Sequence, residues 1–109
     1  MSEQSLGEFE ELVLLIVAAN NKEAYGVQIL KQLEERLDRK LNISGIHVAL
    51  KRMENKGFVE SSYGGITNER GGRRKKFYSI TSLGKKVLDR QYELRTSIYQ
   101  EIPKISFGQ

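Results

Sequence analysis

Two strand-like arms, and the glycine-broken, cation-rich loop between them, limit what this chain can fold into more than any other feature. Residues 68–81 read NERGGRRKKFYSIT, in which four consecutive cations follow two glycines and lead into a run of aromatic and branched residues. Glycines at 64, 65, 71 and 72 reach positive backbone dihedrals at little cost, so the arms at 58–63 and 75–81 close readily into a hairpin. In the second arm Tyr78 and Ile80 fall on one face and Phe77 and Ser79 on the other, the alternation of a ribbon half-buried against helices. Arg70, Arg73, Arg74, Lys75 and Lys76 cannot be buried without partners. The loop therefore stands in water as a solvated charge run, or lies along something anionic.

Charge is distributed in blocks that bear on this choice. Residues 1–50 hold five Lys/Arg against eight Asp/Glu, residues 51–90 hold eleven against four, and residues 91–109 hold two against two, for a formal net charge of +4. A neutral to acidic body with one basic face favours an extended polyanion, because each neutralised phosphate releases condensed counterions. An acidic protein surface would satisfy the same charge. At 109 residues the chain is one compact domain with a core that a partner subunit can enlarge. With no cysteine and a single histidine there is no disulfide and no plausible zinc site, so neither metal nor cofactor is expected. The apolar run at 12–19 is too short to span a bilayer, and Glu8, Glu10 and Glu11 before it oppose a signal peptide. The expected location is cytoplasmic, away from membranes.

Outside the hairpin the pattern is helical. Helices are predicted at about 6–20, 25–37 and 44–56, the wing-like hairpin at 58–81, and a last helix from 82 to about Ile102, where Pro103 ends the pattern. Apolar residues cover nearly the whole circumference of the first helix, with Leu12, Ile16 and Ala19 expected in the core and Phe9, Val13 and Val17 turned to a second subunit. In the second helix Ile29, Leu30, Leu33 and Leu37 recur at helical spacing, and the early Gly26 allows close approach of a phosphate or merely clearance for packing. Ser44 is expected to cap the third helix and Gly57 to stop it. There Ile46, Ala49, Leu50 and Met53 share the inner face, leaving Ser44, Val48, Lys51, Arg52 and Asn55 outward and His47 on the flank. Such a face offers donors for phosphates and base edges and one apolar side chain for a thymine methyl. His47 has no nucleophile or carboxylate partner in any catalytic motif, so it is a hydrogen-bonding or solvated histidine rather than a general base. In the last helix, capped by Thr81 or Ser82, Leu83, Val87, Leu94 and Ile98 form one seam and Leu88, Tyr92, Tyr99 and Ile102 a neighbouring one. The surplus seam is expected to pair with the first helix of a second subunit.

Three helices, a hairpin with a basic tip and a further helix make the winged helix-turn-helix order, mainly α with a two-stranded β-wing, in which the third helix reads the major groove and the wing follows the backbone. The sequence resembles the PadR-like transcriptional regulators over most of its length, from Leu6 to about Leu94. LGEFEELVLLIVA is similar to that family's first helix, AYGVQIL to its second-helix entry, and VALKRMENKGFV to its recognition helix running into the wing. ERGGRRKKFYSITSLGKKVL is similar to the family's wing and final helix, with Gly72, Lys76, Tyr78, Thr81 and Gly84 at its motif positions. Where the family usually carries a tyrosine in the third helix this chain has His47, and Ser44-Gly45 stands where a Gly-Thr or Gly-Ala pair is common. The chain looks like the short branch, with one C-terminal helix for dimerisation, and it lacks the tryptophan by which multidrug-sensing relatives stack flat ligands.

The resemblance implies a non-enzymatic, homodimeric, sequence-specific regulator of transcription, with repression the expected mode and double-stranded DNA the expected partner. It implies DNA contacts from Tyr25, Ser44, Gly45, His47, Val48, Lys51, Arg52 and Asn55 and, in the wing, from Arg70, Gly72, Arg73, Arg74, Lys75 and Lys76. The expected dimer interface is Phe9, Val13, Val17, Leu94, Ile98, Tyr99 and Ile102. An effector ligand is left open. The alternative is a winged-helix interaction module that docks an acidic protein.

Overall fold

The computed structural model describes residues 6–64, 75–105 and 107, and its centre is the first helix, α1, Glu8–Ala19. Around it stand α2 (Gly26–Leu37), α3 (Ile43–Asn55), the antiparallel pair β1 (Val59–Tyr63) and β2 (Lys76–Ile80), and α4 (Ser82–Tyr99). Helix α1 meets α2, α3, β2 and α4, so most of its apolar circumference is covered from within the chain, while Leu15 stays exposed. Val13 and Val17, expected to face a second subunit, are therefore fully buried in the chain's own core beside Leu14 and Ile16. Ala19, expected inside, is exposed, and Leu12 is half-buried against the core.

Helix α3 positions the surface of interest, and its ends are tightly determined. Its N-cap is Asn42 rather than Ser44: the Asn42 Oδ1 accepts from the Ser44 amide at 3.0 Å and from the Ser44 hydroxyl at 2.9 Å. Both residue types cap well, but the one with extended backbone, outside the first turn, takes the role. At the other end Gly57 takes a φ of +83°. Its amide reaches the Glu54 carbonyl at 3.0 Å while the Phe58 amide reaches Met53 at 2.8 Å, the paired bonds of a Schellman stop. Phe58 is thereby turned inward and is fully buried.

The hairpin pairs from Val59↔Ile80 to Tyr63↔Lys76, and the Gly64 amide adds a bond to the Lys75 carbonyl at 2.7 Å. The segment between α1 and α2 completes the sheet on its other side, which its polar sequence did not suggest. The Tyr78 amide donates to the Ala24 carbonyl at 2.8 Å, the Lys22 amide donates to the Tyr78 carbonyl at 3.0 Å, and the Ile80 amide donates to Asn21 Oδ1 at 2.8 Å. Strand β2 is thus held on both edges.

Helix α4 starts one residue after β2. Thr81 caps it by accepting the Gly84 amide at 3.0 Å, and its hydroxyl donates to the Gly57 carbonyl at 2.6 Å. The first half of α4 buries Val87 and Leu88, and Gln91 accepts from the Leu6 amide and donates to Glu11, both at 2.9 Å. Beyond that point Arg95 still donates to Glu11 at 3.1 Å, but the apolar residues of α4 face out: Leu94 and Ile98 are 59% and 57% exposed, and Tyr99 and, past the helix, Ile102 are also exposed. The chain's radius of gyration, 16.7 Å, reflects this projection, since a compact domain of this length has about 13 Å. The helix gives way at Gln100–Ile102 to tighter turns, with the Glu101 and Ile102 amides each reaching three residues back at 3.0 Å. It therefore ends before Ile102, because Pro103 biases the residue preceding it away from helical backbone.

Candidate nucleic-acid interface

Because Ile46, Ala49, Leu50 and Met53 fill one side of α3, the opposite side is committed to solvent. Ser44, Val48, Lys51 and Asn55 are all exposed there, Val48 with about half its surface in water. Gly45 is half-buried, with open space where a Cβ would stand. His47 lies on the flank towards α2, its ring so close to Gly26 that a Cβ there would sit 2.9 Å from Cε1. Gly26 thus provides packing clearance for His47. Arg52 lies on the other flank, where its Nη1 is 3.7 Å from the Glu10 carboxylate of α1.

The wing is seated against these helices by contacts on both its faces. On one face Tyr25, the N-cap of α2, meets the Phe77 ring edge-on at a centroid distance of 5.8 Å, and the Lys75 ammonium stands 4.3 Å from the Tyr25 ring centre. On the other face the Ser61 hydroxyl donates to Glu54 at 2.7 Å, and the Lys76 Nζ is 4.0 Å from the same carboxylate. The Lys76 ammonium also lies 5.8 Å from the Tyr78 ring. Burial pushes the Tyr78 phenol above its usual pKa, with the charge of Lys76 partly offsetting that rise.

Several expected contact residues therefore have structural duties. Tyr25 orients the wing base, Lys75 rests on it, and Lys76 turns inward to Glu54 rather than outward with Lys75. Arg70, Gly72, Arg73 and Arg74 lie outside the described residues. Of the expected interface residues, Leu94, Ile98, Tyr99 and Ile102 are exposed, whereas Phe9 is half-buried beside α3 and Val13 and Val17 are internal.

Two acidic residues that sequence reasoning left unassigned organise the site. Glu54 ties both strands to α3, and Glu10 sits between α1 and α3. Glu10 was legible, since it shares the spacing i, i+3, i+4, i+7 with Val13, Leu14 and Val17 and so belongs to the buried stripe.

Comparison with known proteins agrees with this arrangement. A PadR family transcription regulator from hypervirulent Clostridium difficile R20291 is 33% identical and superposes with a TM-score of 0.70, over 86% of this chain and 93% of that one. A PadR-like transcription factor from Bacteroides fragilis, 17% identical, shares the fold with a TM-score of 0.71 over 84% of each chain. An uncharacterised Lysinibacillus sphaericus protein is 31% identical over 84 residues, 75% of this chain and 72% of its own length. The PadR-like family itself matches residues 13–90, spanning α2, α3, both strands of the wing and most of α1. With that match over a winged helix-turn-helix framework, the chain belongs to the PadR-like family of transcriptional regulators.

Proposed function

We propose that this chain is a cytoplasmic, non-enzymatic, homodimeric repressor that binds a near-palindromic operator in double-stranded DNA, placing α3 of each subunit in the major groove and the wing along the backbone. The observation that carries this reading is the exposed row Ser44, Val48, Lys51 and Asn55, presented on a helix whose other side is buried. Its mixture of donors, a cation and one apolar side chain suits base edges and phosphates together. The bare distal half of α4 supplies the surface through which two copies would pair.

The test is binding to the promoter of its own operon against a random duplex of equal length. Preference for the promoter by roughly a thousandfold or more is expected for specific recognition, and footprinting should protect two half-sites about 34 Å apart. Equal affinity for both duplexes would favour docking of an acidic protein instead. Within the site, Lys51→Ala should weaken operator binding by about 1–3 kcal/mol and relax preference at one position of each half-site. An affinity loss that is uniform across sequences would reassign Lys51 to the phosphates.

Arg73 stands directly after Gly71-Gly72 in the connection between the paired ends of β1 and β2. A guanidinium there suits phosphate or a narrow minor groove, so its loss should be largely indifferent to sequence. For Arg73→Ala the slope of log affinity against log salt is expected to shrink by roughly 0.9 per contact, or roughly 1.8 per dimer. A wild-type slope in the variant would make this cation a solvated one.

A further inference from the structure

We propose that Glu10 is a specificity-determining residue of the DNA-binding surface, acting through Arg52, which it withholds from the phosphates of unrelated sequences. The proposal rests on the DNA-binding reading above and deepens it. Among the described residues Glu10 is the charged side chain that lies buried, at 8% exposure. A carboxylate so placed has lost most of its hydration and needs partners. It accepts from the Gly7 amide at 3.3 Å and stands 3.7 Å from Arg52 Nη1 and 3.6 Å from Lys56 Nζ, both cations belonging to the C-terminal turns of α3 or its cap.

The two sides of the Glu10–Arg52 pair are unequal. The Glu10 side chain is 11% exposed and fixed on α1, whereas the Arg52 side chain is 68% exposed and borders an open groove of about 690 Å³ shared with Val48 and Asn55 of the outward row. At 3.7 Å the attraction is Coulombic rather than a formed hydrogen bond, so the guanidinium can exchange Glu10 for a phosphate in the groove. Glu10 thus sets the free-energy cost of that exchange. An arginine offset by an internal carboxylate adds little counterion release on random DNA, where nothing rewards breaking the pair. On a site that seats α3 in register, the contacts of its outward row repay that cost. The carboxylate therefore depresses non-specific binding more than specific binding.

Glu10→Gln removes the charge while keeping the length and an acceptor for the Gly7 amide. Affinity of the full chain for a random duplex at 0.1 M salt should rise on the order of tenfold, and the salt slope should steepen by about 0.9 per subunit. Operator affinity should rise less, so the ratio of specific to random binding falls. In an Arg52→Ala background the same substitution should leave the slope unchanged. An unchanged slope and ratio in Glu10→Gln, or an equal rise without Arg52, overturns the proposal. Should the glutamine variant fold poorly, Arg52→Ala alone decides: a withheld arginine costs the random-duplex slope well under 0.9 per subunit, and loss of the full roughly 0.9 overturns it. A wild-type chain that binds no duplex at low salt overturns the DNA-binding reading itself, and this proposal with it.

Discussion

Gly84→Ala is expected to destabilise the chain by about 3 kcal/mol, the upper end of what overpacking a rigid contact costs. A Cβ at this position would fall inside contact distance of the Phe58 carbonyl oxygen and against Ile80 Cγ1. The Phe58 carbonyl also accepts from the Thr81 amide at 3.0 Å, and Phe58 is fully buried, so the Phe58 side of the contact cannot retreat. The residue that must move is the first turn of α4, with its Thr81 cap. Since small domains are stable by about 5–15 kcal/mol, such a loss is a large fraction of the total. Urea unfolding should show a lowered midpoint at constant slope. Gly45→Ala is the matched control, because nothing lies within 4 Å of the added methyl and alanine is the better helix former. If both variants unfolded at the wild-type midpoint, the α4 docking contact would not be the tight one described.

In the proposed dimer, Ile98→Glu should separate the subunits without touching the fold. The helical stripe that carries Val87 and Leu88 into the core continues through Leu94 and Ile98, which no other described residue buries. Burying a lone carboxylate in a paired apolar seam costs several kcal/mol, so the dimer dissociation constant should rise at least about a hundredfold. Sedimentation velocity at micromolar concentration would then show monomer for the variant and dimer for the wild type. Thermal unfolding of the dilute monomer should be unaltered, as Ile98 is 57% exposed within it. Identical sedimentation of the two proteins would place the interface elsewhere.

The helices and hairpin were legible because their periodicities are clean: α3 alternates an inner quartet with an outer row, and Gly57 marks its end. The α4 cap was legible to within one residue, as Thr81 or Ser82, just before the periodic run begins, and the structure gives it to Thr81. What periodicity could not tell is who covers a helix that is apolar all round. Val13 and Val17 read as outward because a small chain rarely covers so much of one helix, yet α2, α3, β2 and α4 together cover all but a strip that includes Leu15 and Ala19. The Ala24–Tyr78 bridge escaped notice because a single bridge leaves no alternation to read. In the site, strand alternation correctly separates Lys75 from Lys76, but only the fold shows that Tyr25 waits on one side and Glu54 on the other.

Between the last residue of β2 and the first of α4 stands Thr81 alone, whose amide and hydroxyl donate to the Phe58 and Gly57 carbonyls of the turn after α3. That makes α4 a rigid arm fastened beside the end of α3. An 18-residue helix is about 27 Å long at 1.5 Å per residue, so a rotation of about 10° about its far end sweeps Thr81, and the end of α3 fastened to it, through roughly 5 Å. Whatever grips the far end of α4 therefore sets the angle at which α3 is presented. In the proposed dimer, small changes in how two such arms cross would be returned as ångström-scale changes in the spacing of the two α3 helices.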